Sequence, residues 1–501
     1  MIAEGILSVV TSPACWLWIV VGTVIGLIFG AIPGLSAPMA MVLMLPISFA
    51  LESTEGIALL VALYIGSTSG GLISAILIEI PGTPASIATV LDGGPMARSG
   101  HAGKALAAGI FYSFFGGILS TIALIFGAKA LAGFALKFTP FEYFSIAVFS
   151  LTVIASLAGE SIIDGLISGV LGFMVALIGL SPLGQIRFTF GNRNLLSGID
   201  TVPILIGIYA IGAIISNGFG DVNRSLGPKL KYNLRDELVT LKEFKDNLWN
   251  AIRSSLVGIV IGILPGIGGS TAGLMAYSMA KDSSKHPEKF GTGILDGIVA
   301  SESANNAVVG GSMIPLLTLG IPGSTPACLL LAGLTIHGIT PGPLVFQNSG
   351  IFIYGVFAAT LLANIAFFVI ETAGIKGFVT LLDIPKWILY PVIISMCVIG
   401  AYANNNRSFD VILVFVFGLI TYLLKKVGFN TTPFIIAYIL GNLAETNLIR
   451  ALSQSSGSWL PFLTRPISAF FLLASVVSIA LVVKKHIAAK RNGETILAED
   501  D

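Results

Sequence analysis

The feature that most constrains this chain is a polar, Pro-Gly-interrupted stretch set inside a very apolar sequence. From Ser301 to Ala327 it carries Glu302, Asn305, Asn306, the pair Gly310-Gly311 and the break Pro322-Gly323. Hydrocarbon satisfies neither those side chains nor the backbone groups freed at the break. Such a segment has to be buried in protein or line a polar cavity, which makes it a binding-site candidate. The plainer alternative is a helix break packed on a neighbour, with Asn305 and Asn306 bonding between helices.

Composition fixes the class. Of the 501 residues, 55% are hydrophobic and 11% charged, where a soluble protein carries roughly 25% charged residues. The chain therefore reads as an all-α polytopic membrane protein. A net charge of +1 and the lack of any basic block interleaved with aromatics give no sign of nucleic acid as a partner. Cys15, Cys328 and Cys397 are scattered through apolar sequence and read as small core residues. The first five residues lack the basic region of a cleaved signal peptide, so the first apolar run is expected to remain as a membrane span.

That run carries Gly22, Gly26, Gly30 and Gly34, a spacing that lines one helix face with glycine and lets a second backbone come close. It ends in Gly30-Ala31-Ile32-Pro33-Gly34, and a second apolar run, Ala37 to Leu51, follows. The segment Gly56 to Ile80 has a polar centre, Gly66-Ser67-Thr68-Ser69-Gly70-Gly71, and ends at Ile80-Pro81-Gly82-Thr83. Each half is about ten residues, short of the about 20 needed to cross a bilayer, so a discontinuous or re-entrant helix is expected there. Further spans are expected at 105–136, 144–157, 162–180, 202–215, 351–372, 388–402, 412–424, 433–443 and 467–483. Together these give roughly 11 to 13 crossings plus half-helices.

The chain repeats itself. Gly258, Gly262 and Gly266 match Gly26, Gly30 and Gly34; Pro265-Gly266 matches Pro33-Gly34, and Ile321-Pro322-Gly323 matches Ile80-Pro81-Gly82. The matched pieces come in the same order, which predicts a first repeat at 1–216, a polar linker at 217–250, a second repeat at 251–450 and an extra helix with a basic tail at 451–501. Charge gives orientation. The loop after the second run is acidic in the first half (Glu52, Glu55) and basic in the second (Lys281, Lys285, Lys289), and the bias reverses after the next break. By the positive-inside rule the halves are inverted in the membrane, with linker and tail cytoplasmic.

Four interrupted backbones would then meet near the midplane, at Pro33-Gly34, Pro81-Gly82, Pro265-Gly266 and Pro322-Gly323. Broken helices offer N-terminal amides to an anion and free carbonyls to a cation. Thr83, Ser324 and Thr325 follow the breaks and can cap a half-helix or donate to a carboxylate; Ser67 and Thr68 add hydroxyls. Almost no Lys or Arg lies inside the apolar segments, so an anionic substrate would be held by helix ends, hydroxyls and amides. Glu302, Asn305 and Asn306 would share a helix face and could ligate Na+ or carry a proton. The competing role for this set is hinge and packing.

Enzymatic readings fare poorly. Gly34-Leu35-Ser36-Ala37 has the look of a nucleophile site, but it follows a helix break, and His337 is the one histidine near a membrane segment. There is no His-Glu-x-x-His pair, and Gly100-His101-Ala102-Gly103-Lys104-Ala105 lacks the spacing and hydroxyl of a phosphate loop. No cofactor is expected.

The strings Gly30-x-x-Pro33-Gly34, Ile80-Pro81-Gly82 with Leu91-Asp92-Gly93, Phe290-Gly291-x-Gly293, Glu302-Ser303-Ala304-Asn305-Asn306-Ala307, Leu319-Gly320-Ile321-Pro322-Gly323-Ser324, His337-Gly338 and Pro341-Gly342-Pro343 resemble the large membrane subunit (TctA type) of tripartite tricarboxylate transporters. The resemblance reaches to about residue 450, and the Glu-Ser-Ala-Asn-Asn-Ala string is its most specific part. It implies a multi-pass protein of the bacterial inner membrane. It also implies a small membrane subunit (TctB type) and a periplasmic solute-binding protein (TctC type) as partners, a carboxylate such as citrate as substrate, and Na+ or H+ as coupling ion. For Asp92, loop capping and transport both fit. A channel-like or scaffold protein without coupled transport is the rival reading.

Overall fold

A computed structural model describes residues 1–157, 162–218, 238–380 and 386–491. Most of the expected polar linker, with Arg224, Lys229, Lys231 and Arg235, lies outside the described residues, as does the end of the tail. The described chain is almost wholly helical, with one two-stranded pairing of Gly179–Leu180 against Ile186–Arg187. Six helical stretches are long and apolar enough to cross a membrane: Pro13–Ala31, Ser53–Leu77, Pro84–Ala135, Gly350–Thr380, Trp387–Asn405 and Ser408–Lys426. Shorter apolar helices accompany them. The chain is an all-α polytopic membrane protein.

Ten helices hold the segments matched between the two halves of the sequence. In the first half they are α1 (Pro13–Ala31), α2 (Ala37–Phe49), α3 (Ser53–Leu77), α4 (Ile87–Met96) and α5 (Ala102–Ala135). Their counterparts are α6 (Leu241–Ile263), α7 (Gly268–Asp282), α8 (Leu295–Leu319), α9 (Thr325–Ile336) and α10 (Gly350–Thr380). The Pro-Gly positions fall between helices, at the junctions α1/α2, α3/α4, α6/α7 and α8/α9. The last residues of the expected linker belong to α6, which starts at a capping box formed by Thr240 and Glu243.

One expectation fails. The polar centre of Gly56 to Ile80 does not break the helix: α3 runs unbroken for 25 residues and is buried throughout its membrane-length window. The reason is local. Ser67 donates to the carbonyls of Leu63 and Tyr64, Thr68 to that of Tyr64, and the helix absorbs its own hydroxyls. The glycines of the cluster serve packing instead. A Cβ on Gly66 would meet the Thr23 carbonyl at 2.7 Å, and one on Gly70 the Leu27 carbonyl at 2.6 Å.

The glycine face of the first run does what its spacing predicts. Cβ atoms on Gly22, Gly26 and Gly30 would stand 2.4–2.6 Å from the carbonyl oxygens of Leu59, Leu63 and Ser67, so α1 and α3 touch backbone to backbone. The second half repeats this contact: Gly258 lies against Ala304 and Gly262 against Val308, joining α6 to α8.

The packing divides the chain into two units, each drawing stretches from both halves of the sequence. The first, residues 1–135 and 205–419, contains all ten helices named above. Within it α3 and α8 cross antiparallel: Tyr64 Oη lies 3.2 Å from Ser312 Oγ, and Asn305 Nδ2 donates to the Thr68 carbonyl at 3.4 Å. The matched helices of the two halves thus run in opposite directions where they cross. The long helices are exchanged, α5 lying along α8 (Ser113 at Glu302, Ser120 at Gly310) and α10 along α3 (Gly355 at Thr54, Glu371 at Ser69).

The second unit, residues 136–204 and 420–501, gathers the helices Pro140–Leu157, Ile162–Ala176 and Thr431–Gln454 with the last helix, which starts at Pro466. Glu142 is buried and accepts from Arg465 Nε at 2.5 Å and from the Thr139 N–H at 2.7 Å. Arg187 pairs with Glu445 at 2.6 Å. An apolar cavity of about 550 Å³ lies between these helices, with Glu445 at its lining.

Candidate functional site

The four Pro-Gly breaks come together in pairs. A Cβ on Gly82 would sit 2.1 Å from the Gly30 carbonyl oxygen, and one on Gly323 would sit 2.0 Å from that of Gly262. Only glycine fits at either place. Gly82 donates its N–H to the Gly71 carbonyl at 3.3 Å, and Gly266 donates to Gly323 at 3.0 Å. Gly34 and Gly266 both adopt positive φ, 89° and 77°, where the chain turns from one helix into the next. Pro33, Pro81, Pro265 and Pro322 each remove a donor at these turns.

The hydroxyls past the breaks have definite partners. Ser324 caps α9, accepting from the Ala327 N–H at 3.3 Å, and its oxygen lies 2.7 Å from Tyr64 Oη. Ser36 caps α2 in the same way, through the Met39 N–H. Thr83 pairs with Ser86 at 3.2 Å, and Gly71 leaves room for both against α3. Thr325 is half-buried at the start of α9.

Glu302, Asn305 and Asn306 all lie on α8, and each is at most 2% exposed. Glu302 and Asn306 share the Ser113 hydroxyl, and Asn305 adds a contact to α3. Glu302 accepts from Thr89 of α4 through Oε1 and from Ser113 of α5 at 2.8 Å through Oε2. Asn306 joins it, with Nδ2 2.8 Å from Ser113 Oγ and 3.4 Å from Glu302 Oε2. Asn305, three residues along α8 from Glu302, also reaches α3. Its Nδ2 reaches Thr68 on α3, while its Oδ1 is buried without a partner and faces the Gly269 position at the start of α7.

A carboxylate held only by hydroxyls and an amide carries an uncompensated charge. Among the described residues no ion pair reaches Glu302. Burial of such a group is costly unless a proton or a cation joins it. Asp92 is a different case. It is fully buried and accepts from the N–H groups of Gly291, Gly293 and Ile294 at 2.8–3.0 Å and from Tyr277 Oη at 2.9 Å. Asp92 Oδ1 clasps the loop before α8 while Oδ2 takes the Tyr277 hydroxyl of α7, so loop capping accounts for it.

A model of the tripartite tricarboxylate transporter TctA family matches residues 16–436. The chain belongs to that family. A protein of Agrobacterium vitis described as an uncharacterized 52.8 kDa protein in the TAR-I ttuC' 3' region is 35% identical over 98% of this chain and 97% of its own length. A second from the same organism, in the TAR-II ttuC' 3' region, is 37% identical over 49% of this chain and all of its own. No solved structure matches. TctA membership makes this chain a transport protein of the large-subunit type, multi-pass in the membrane.

Sequence reasoning passed over Thr89 and Ser113, the hydroxyls that hold Glu302, because nothing in sequence marks which Ser or Thr crosses to another helix. It also left Glu371 unremarked inside an expected span. There a signal existed: a lone carboxylate deep in an apolar helix is a functional candidate by default.

Proposed function

We propose that this protein is the transport subunit of a binding-protein-dependent secondary transporter in the bacterial inner (cytoplasmic) membrane. It imports a carboxylate, a tricarboxylate such as citrate or a related organic acid, coupled to Na+ or H+. A small membrane subunit and a periplasmic solute-binding protein complete the system. The observation that carries the reading is Glu302, fully buried among neutral donors where the broken helices of both halves meet in a TctA-family chain. A cation or proton on Glu302 offsets its charge, and the half-helix start at Gly268, which has no side-chain cap, offers amide donors to a carboxylate. Asn305 Oδ1, buried and unpartnered beside the start of α7, is an open acceptor at the same crossing.

The test is uptake in proteoliposomes holding this chain and its small subunit, with binding protein outside and a panel of carboxylates. Coupled transport predicts uptake that needs the binding protein and rises with an imposed Na+ or proton gradient. Flux indifferent to both would favour the channel reading.

A further inference from the structure

We propose that Glu371 is a second ion-carrying carboxylate, loaded and emptied by a proton in step with transport. This rests on the reading of the chain as a coupled transporter, but its geometry is separate from that of Glu302. Glu371 lies on α10 and is fully buried. Ser69 of α3 donates to its Oε2 at 2.6 Å, and its Oε1 has no hydrogen-bond partner.

The two carboxylates stand at equivalent seams of the inverted repeat. Glu302 is on the central helix α8 and takes a hydroxyl from the long helix α5; Glu371 is on the long helix α10 and takes one from the central helix α3. The seams correspond, and each holds one carboxyl-serine pair with the roles of the helices exchanged. A rearrangement of one half against the other acts on both seams, so an ion at each can be linked to the same movement.

The surroundings favour a proton. On α10 itself Lys376 is exposed. Of the helices packed against α10, Ile2–Val10 carries Glu4, paired with the N-terminus, and α1 carries Cys15 near its start. The α3 carboxylate Glu55 lies about 21 Å of helix from Ser69. On α5, Lys104 is bound to Glu243 and Lys129 is exposed. Glu302, on α8, is itself held by Thr89 and Ser113. No cationic side chain pairs with Glu371 among the described residues. A metal cation needs a shell of oxygens, whereas a proton needs one lone pair, and Oε1 has it free. Loading forms an O–H bond on Glu371 from an aqueous proton; release breaks it and returns the carboxylate.

The decisive measurement is infrared difference spectroscopy on the full-length chain in nanodiscs during a pH titration. The expected result is a carboxylic-acid band that disappears in Glu371→Gln, persists in Glu302→Gln, and titrates at a shifted pH in Ser69→Ala. In proteoliposomes Glu371→Gln should move one proton fewer per substrate. A wild-type spectrum indistinguishable from that of Glu371→Gln would overturn the proposal, as would a band that responds to Na+ and not to pH. If wild-type protein moves substrate with no accompanying ion, coupled transport fails, and the spectrum still decides whether Glu371 binds a proton.

Discussion

Gly323 stands directly against Gly262: a Cβ on the first would lie 2.0 Å from the carbonyl oxygen of the second. The break after α8 is thus seated on the end of α6 by backbone contact, and the same seat recurs between Gly82 and Gly30. Substituting Gly323 by alanine should cost about 1–3 kcal/mol through overpacking, and by leucine more. Gly333→Ala is the control, since its nearest neighbour is the tip of the Leu60 side chain, which can move. Thermal unfolding in detergent should show a clear drop for Gly323→Ala and little change for Gly333→Ala. Equal stability of the two would contradict the seat.

Asp92 should matter for stability through its clasp on the loop at Gly291–Ile294. Asp92→Ala leaves three backbone N–H groups and the Tyr277 hydroxyl without their acceptor, at about 1–3 kcal/mol for each buried donor left unsatisfied. Hydrogen exchange should rise at 291–294 in Asp92→Ala and less in Tyr277→Phe, which removes one donor only. Exchange that stays at the wild-type rate would remove the clasp from the account.

The opposed charge bias of the two halves predicts opposite sides for equivalent loops. A cysteine at Glu55 should react with an impermeant thiol reagent added to intact cells, while one at Lys285 should not. The native cysteines, all buried, give little background. The reverse labelling pattern, or equal labelling, would contradict the assigned orientation.

Much of this architecture was legible in the sequence because close backbone contact leaves a residue-level trace. Glycine every fourth residue marked the α1–α3 and α6–α8 contacts, and the ordered Pro-Gly matches marked the junctions. What the sequence hid was how polar groups are used. Ser67 and Thr68 read as substrate-binding hydroxyls at the polar centre of a discontinuous helix, yet they bond to their own helix and leave α3 whole. Asn305 and Asn306 read as one patch with Glu302, and the contact of Asn305 with the Thr68 carbonyl on α3 was not foreseen. Thr89 and Ser113 became visible only when the fold set them against α8. Periodicity reports which face is apolar; it does not report which neighbour a hydroxyl will find.

The proposed coupling of ion movement to carboxylate import turns on the Glu302 carboxyl. Glu302→Gln keeps the shape of the side chain and its contacts with Thr89, Ser113 and Asn306 while removing the charge. The measurement is gradient-driven uptake in proteoliposomes with binding protein, across a series of Na+ concentrations and pH values. Uptake is expected to fall at least about tenfold, a loss of about 1.4 kcal/mol or more in the driving step, with near-normal expression and an altered dependence on Na+ or pH. Wild-type uptake with unchanged ion dependence would show that Glu302 only holds α4, α5 and α8 together.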